Sequence, residues 1–92
     1  MSLVNKRIAI LTAEDGVERI DLEEPRRALK QAGGEVVHIT PRGGKVRTFD
    51  QTEPSVQVTA DASIAYCNPS EFDALVRFNE NHSAVEHTSI VI

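Results

Sequence analysis

The stretch from Ile8 to Thr40 constrains the fold most. Ile8–Leu11 is an unbroken apolar run, too short for a helix and typical of a parallel strand buried on both faces. Leu22, Ala28, Leu29 and Ala32 then recur at helical spacing and form one apolar stripe. Gly33-Gly34 ends that helix, because glycine accepts the left-handed conformation that terminates a helical run. Glu35–Thr40 offers Val36, Val37 and Ile39 to a second strand. Strand, helix and strand within roughly 35 residues make a right-handed βαβ unit. Asp21 is expected to cap the helix, with Glu23 and Glu24 at its positive end. A start there keeps Pro25 in the first turn, where a missing N–H costs nothing.

Downstream, Pro41-Arg42-Gly43-Gly44 is turn chemistry. Lys45–Phe49 and Ser55–Thr59 alternate apolar and polar residues, which predicts a small antiparallel excursion at the sheet edge with Asp50–Pro54 between. Asp61–Tyr66 carries no clear signal. Asn68-Pro69-Ser70-Glu71 opens a turn or a single helical turn, and Ala74–Val76 supplies a third core strand. Phe78–His87 is polar and loosely helical, and Ser89–Ile92 is a last apolar run.

Ninety-two residues make one domain, with 40% apolar and 26% charged residues as in globular chains. Net charge is −4 and the Lys and Arg residues are scattered, so neither nucleic acid nor an anionic membrane surface is expected as a main partner. No apolar run approaches the ~18 residues of a membrane span. Met1–Lys6 lacks a secretory h-region and reads as a tail or vector residues, leaving 7–92 as the domain. A single cysteine forms no internal disulfide and fits a reducing cytoplasm. Three histidines and one cysteine make no spaced ligand set, so no metal is expected.

Among chemistry-bearing residues Glu18 stands first. It follows a strand and the Gly16 turn and precedes a helix, where open α/β sheets place functional carboxylates. Spacing alone allows an equally plain reading, an exposed acid stabilised by the helix dipole. Glu14 and Asp15 read as surface loop acids. Cys67 precedes Asn68-Pro69, a turn and not a strand-to-helix elbow, and reads as an incidental thiol. His82 and His87 are five apart, not the four that aligns two ligands on a helix face, and both read as solvated. His38, at a strand end, is read the same way. Arg42, Gly43, Gly44 and Lys45 follow a strand–Pro turn and open no helix, so they form a turn and not a phosphate cradle.

Arg7–Thr12, Gly16-Val17-Glu18, Leu22-Glu23-Glu24-Pro25-Arg26, Ala28-Leu29 and Ala32-Gly33 together resemble the PfpI/ThiJ family. Val36 through Pro41, Gly43–Val46 and Asn68–Val76 extend the resemblance, so that it runs from about Lys6 to Val76. It covers only the N-terminal half of a usual member. The family comprises intracellular proteases, stress proteins and glyoxalase- or deglycase-like enzymes. The resemblance implies a three-layer flavodoxin-like (class I glutamine-amidotransferase-like) α/β fold with a mostly parallel sheet, no organic cofactor, and a homodimer or larger assembly. It also implies that Glu18 is the carboxylate supporting a cysteine thiolate that attacks a peptide, an amide or a small aldehyde. In this family a Pro-Gly-Gly turn follows the third strand, whereas here Val76 runs directly into Arg77-Phe78-Asn79. Thr88–Ile92 is expected to match the strand leading to the nucleophile elbow. On that reading the glycine turn and the nucleophile are both missing and the chain alone is catalytically incomplete; the alternative is a non-catalytic, self-associating α/β binding or structural module, since unpaired strand edges favour self-association.

Overall fold

A computed structural model describes residues 2–78 and the strand 88–91. Strands β1 (Arg7–Leu11), β2 (Val17–Glu18), β3 (Glu35–Thr40), β4 (Gly44–Asp50), β5 (Glu53–Ala60), β6 (Ala62–Ser63), β7 (Ala74–Phe78) and β8 (Thr88–Val91) accompany one helix, α1 (Arg19–Gln31). Among the described residues these strands form two sheets, a five-stranded one in the order β6-β3-β1-β7-β8 and a three-stranded one in the order β2-β4-β5.

The βαβ expectation holds. β1 lies parallel to β3 with Ile8 opposite Val36 and Ile10 opposite His38, and parallel to β7 with Ala9 opposite Leu75. Asp73 sets the second register: its carboxylate accepts from Arg7 N–H at 2.8 Å while its own N–H donates to Arg7 O at 2.7 Å. The helix stops as its glycines dictate. Gly33 lies at φ 96°, its N–H reaches Lys30 O at 3.0 Å, and Gly34 N–H reaches Leu29 O at 3.0 Å, the double closure of a Schellman motif.

Four expectations need correcting. The helix begins at Arg19, with Glu18 in the capping position and no side-chain cap, so Asp21 is a first-turn residue and not the cap. Pro25 accordingly lies inside the helix, where it offers no N–H to the Asp21 carbonyl. The earlier start follows from β2: Val17 and Glu18 pair parallel with Thr48 and Phe49, and the chain turns straight from that bridge into the helix. The β4–β5 hairpin, expected at the edge of the main sheet, belongs to a separate sheet with β2. Strand β8 runs antiparallel to β7, unlike a strand feeding a nucleophile elbow in a parallel sheet. The segment between Phe78 and Thr88 is shorter than the dozen or more residues a parallel crossover requires. Residues near the N-terminus are tied in: Leu3 N–H donates to Ala32 O at 2.7 Å, and Leu3 packs against the core. The polar segment 79–87, with His82 and His87, lies outside the described residues.

The core joins both sheets and the helix. Ile8, Ile10 and Val76 of the large sheet meet Leu22 of α1 and Val17, Val46 and Ala60 of the small one. Strand β4 alternates cleanly, with Val46 and Thr48 buried and Lys45 and Arg47 exposed, as a one-sided strand should.

Candidate functional site

Glu18 occupies the junction of β2 and α1, extended at φ −68° and ψ 124°. The loop leading to it begins at Thr12, whose N–H donates to Ile39 O at 3.1 Å. Gly16 turns that loop at φ 75°, and a Cβ there would meet nothing, so glycine serves the backbone angle and not a close approach. Asp15 accepts from Gly16 N–H at 2.8 Å and pairs with Arg47 at 3.4 Å. Glu14 O accepts from Arg47 N–H at 3.0 Å, and the Glu14 carboxylate accepts from Arg42 N–H. Both acids thus stitch the loop to β4 and to the turn before it.

Glu18 is half-buried as a residue, and its carboxylate accepts from the backbone N–H of Gln51 at 2.9 Å in an exposed setting. Gln51 is the tip of the β4–β5 hairpin and sits in the left-handed region at φ 61°. The neighbouring Arg19 donates to Asp50 and to Glu23, both at 2.7 Å. The hairpin tip therefore holds Glu18 and Arg19 together, one through a main-chain donor and one through an ion pair. Asp21 completes the cluster: partial burial, and then the Glu18 charge, push its carboxyl above the ordinary aspartate range. The geometry suits a fixed carboxylate that accepts one proton-bearing group.

His38 is the residue that the sequence reading misplaced. It is completely buried, because β3 is covered by α1 and the ring sits level with Ile10. The ring Nε2 lies 2.8 Å from Thr12 Oγ1, and that hydroxyl donates to Ala13 O at 2.8 Å. With its one proton so used, the hydroxyl accepts from Nε2–H, which leaves Nδ1 as an acceptor without a partner among the described residues. His38 N–H donates to the Asp61 carboxylate at 2.8 Å and Asp61 N–H donates to His38 O at 2.8 Å. Burial first, then Arg26, lowers the ring's affinity for a proton below that of free histidine, while Asp61 acts weakly the other way. The run Val36-Val37-His38-Ile39 already carried the signal, since a polar residue inside a buried parallel strand shares its burial.

Cys67 follows a 3-10 turn over Ile64–Tyr66, and its thiol donates to Ser63 O at 3.3 Å. It lines an open apolar recess of about 300 Å³ with Leu11, Ile39, Ile64, Phe72 and Leu75. None of its partners is shared with Glu18, so the thiol and the carboxylate are not brought together. Gly43 and Gly44 form the expected turn at φ 74° and 83°, with Gly43 N–H donating to Thr40 Oγ1 at 2.8 Å. Among the described residues no group of three His, Cys, Asp or Glu side chains is arranged to hold a metal ion. No described helix is long and apolar enough to cross a membrane.

A parallel sheet with a helix on it, and a carboxylate held at the strand-to-helix junction, define a flavodoxin-like α/β protein. Residues 6–77 match the DJ-1/PfpI family, and the chain belongs to it. It is similar to general stress protein 18 of Bacillus subtilis, at 37% identity over 73 residues that cover 79% of this chain and 41% of that protein. Similarity to protein/nucleic acid deglycase 2 of Escherichia coli is 36% identity over the same length and coverage. A solved structure of a DJ-1 superfamily protein from Agrobacterium tumefaciens superposes with a TM-score of 0.55 at 35% identity, over 78% of this chain and 36% of that one. The chain thus spans less than half the length of the relatives it matches.

Proposed function

We propose that this chain is the carboxylate-bearing part of a stress-related DJ-1/PfpI enzyme, with Glu18 as the group that orients and tunes a cysteine thiolate. The thiolate would attack a peptide, an amide or a small aldehyde carbonyl, and the carboxylate would govern its protonation. The stress and deglycase names of the relatives support this class. The observation carrying the reading is the Glu18 carboxylate, held by Gln51 N–H at the junction of β2 and α1, inside the stretch that matches the family.

In its 92-residue form the chain is inactive on this reading, because its single cysteine, Cys67, lies in the apolar recess and not at Glu18. The test follows methylglyoxal loss and fluorogenic-peptide cleavage by the purified chain. No turnover above buffer is expected. Turnover abolished by Cys67→Ser would overturn the reading. A homodimer or larger assembly goes with it, favoured by the exposed Ile64 and the open recess on the sheet face that α1 does not cover. Light scattering after size exclusion is expected to give at least twice the 10.1 kDa chain mass, and a monomer peak would refute assembly.

A further inference from the structure

Thr12 Oγ1 joins two parts of the molecule: it accepts from the buried His38 ring and donates to Ala13 O, where the loop to Glu18 begins. The charged groups that bear on the ring are Arg26 of α1 and Asp61 after β5, while β1 presents Ile10 and Thr12 beside it. We propose that His38 is a pH-operated latch: a proton taken from solvent at Nδ1 releases the ring from Thr12 and loosens the Ala13–Glu18 loop. A proton on Nδ1 would create a second N–H donor that meets no acceptor among the described residues, on a side chain without exposed surface. Burying an unpaired, charged donor costs more than opening the site, so the ring leaves instead of charging in place. Arg26 reinforces this, because a cationic ring beside a guanidinium gains nothing from staying.

The sign follows from linkage. The open form binds the proton more readily than the closed one, so closure is complete above about pH 6.5 and weakens as pH falls below it. One proton per opening lowers protection about tenfold per pH unit. The latch acts on the segment that carries Glu18 and stands whether or not that carboxylate serves chemistry.

The experiment follows amide protection of Thr12–Glu18, Arg47 and Asp61 by NMR between pH 8 and pH 5, together with the assigned His38 ring resonances. In the unaltered chain protection is expected to be flat down to about pH 6.5 and then to fall about tenfold per unit. His38→Gln keeps a neutral donor toward Thr12 and is expected to remove that fall. His82 and His87 are present in both proteins, so any contribution from them cancels in the comparison. Protection that stays flat to pH 5, or the same fall in His38→Gln, would overturn the latch. If the variant does not fold, the unaltered chain still decides, since a His38 ring that charges near pH 6.5 with no loss of protection refutes it.

Discussion

Leu22 is the only residue of α1 that is fully buried, so one side chain carries most of the helix's hold on the two sheets. It belongs to one core cluster with Ile8, Ile10 and Val76 from one sheet and Val17, Val46 and Ala60 from the other, against which Leu29 packs partly buried. Leu22→Ala removes three carbons from a site lined by backbone-fixed strands, which relax little to fill it. Leu-to-Ala changes at such sites cost about 3–5 kcal/mol, transfer and cavity terms together. A domain of this size is stable by roughly 5–14 kcal/mol, so the change consumes a large part of the margin. At roughly 4–8 °C per kcal/mol, 3 kcal/mol lowers Tm by about 12–24 °C. Thermal unfolding followed by circular dichroism, with Ile20→Ala as comparison, provides the assay. Ile20 is on the same helix but 43% exposed, and its truncation is expected to cost under about 1 kcal/mol. Equal Tm losses for the two variants, or a loss under about 4 °C for Leu22→Ala, would refute the claim that α1 is anchored through Leu22.

Gly33→Ala should lower stability by about 1–2 kcal/mol, because φ 96° is strained for any L side chain and a Cβ would sit 3.0 Å from Val4; urea unfolding reads it. Gln51→Gly should act oppositely, since it relieves a left-handed φ of 61° while keeping the N–H that Glu18 uses; a Tm rise of a few degrees is expected, and a fall would mean the Gln51 side chain matters. Asp73→Ala removes the carboxylate on Arg7 N–H and should cost about 1 kcal/mol in urea unfolding, with the largest loss of amide protection along β7.

The hydrophobic run Ile8–Leu11, the apolar stripe of α1 and the Gly33-Gly34 stop were legible because each is a local pattern with one low-energy backbone solution. Glu18 was legible as a position but not as an environment. Its partner Gln51 is thirty-three residues away, brought in by a hairpin whose place in a second sheet no local pattern records. The helix start was misread for the same reason, since Asp21 is a good cap by propensity but β2 pairing with β4 set the entry three residues earlier, at Glu18.

The sequence by itself determined β1, β3, β4, β5, β7 and the body of α1, where the helix ends, and that an acid stands after the first strand's turn, whereas β2 and β6 left no local signal. Tertiary structure alone decided that His38 is buried, that Thr12 links it to the Glu18 loop, and that Cys67 lies in a recess apart from Glu18. Side-chain period and turn chemistry are properties of neighbours in the chain, whereas burial and hydrogen-bond partners are properties of neighbours in space. Here those are set by the packing of α1 and the small sheet over one face of the large one.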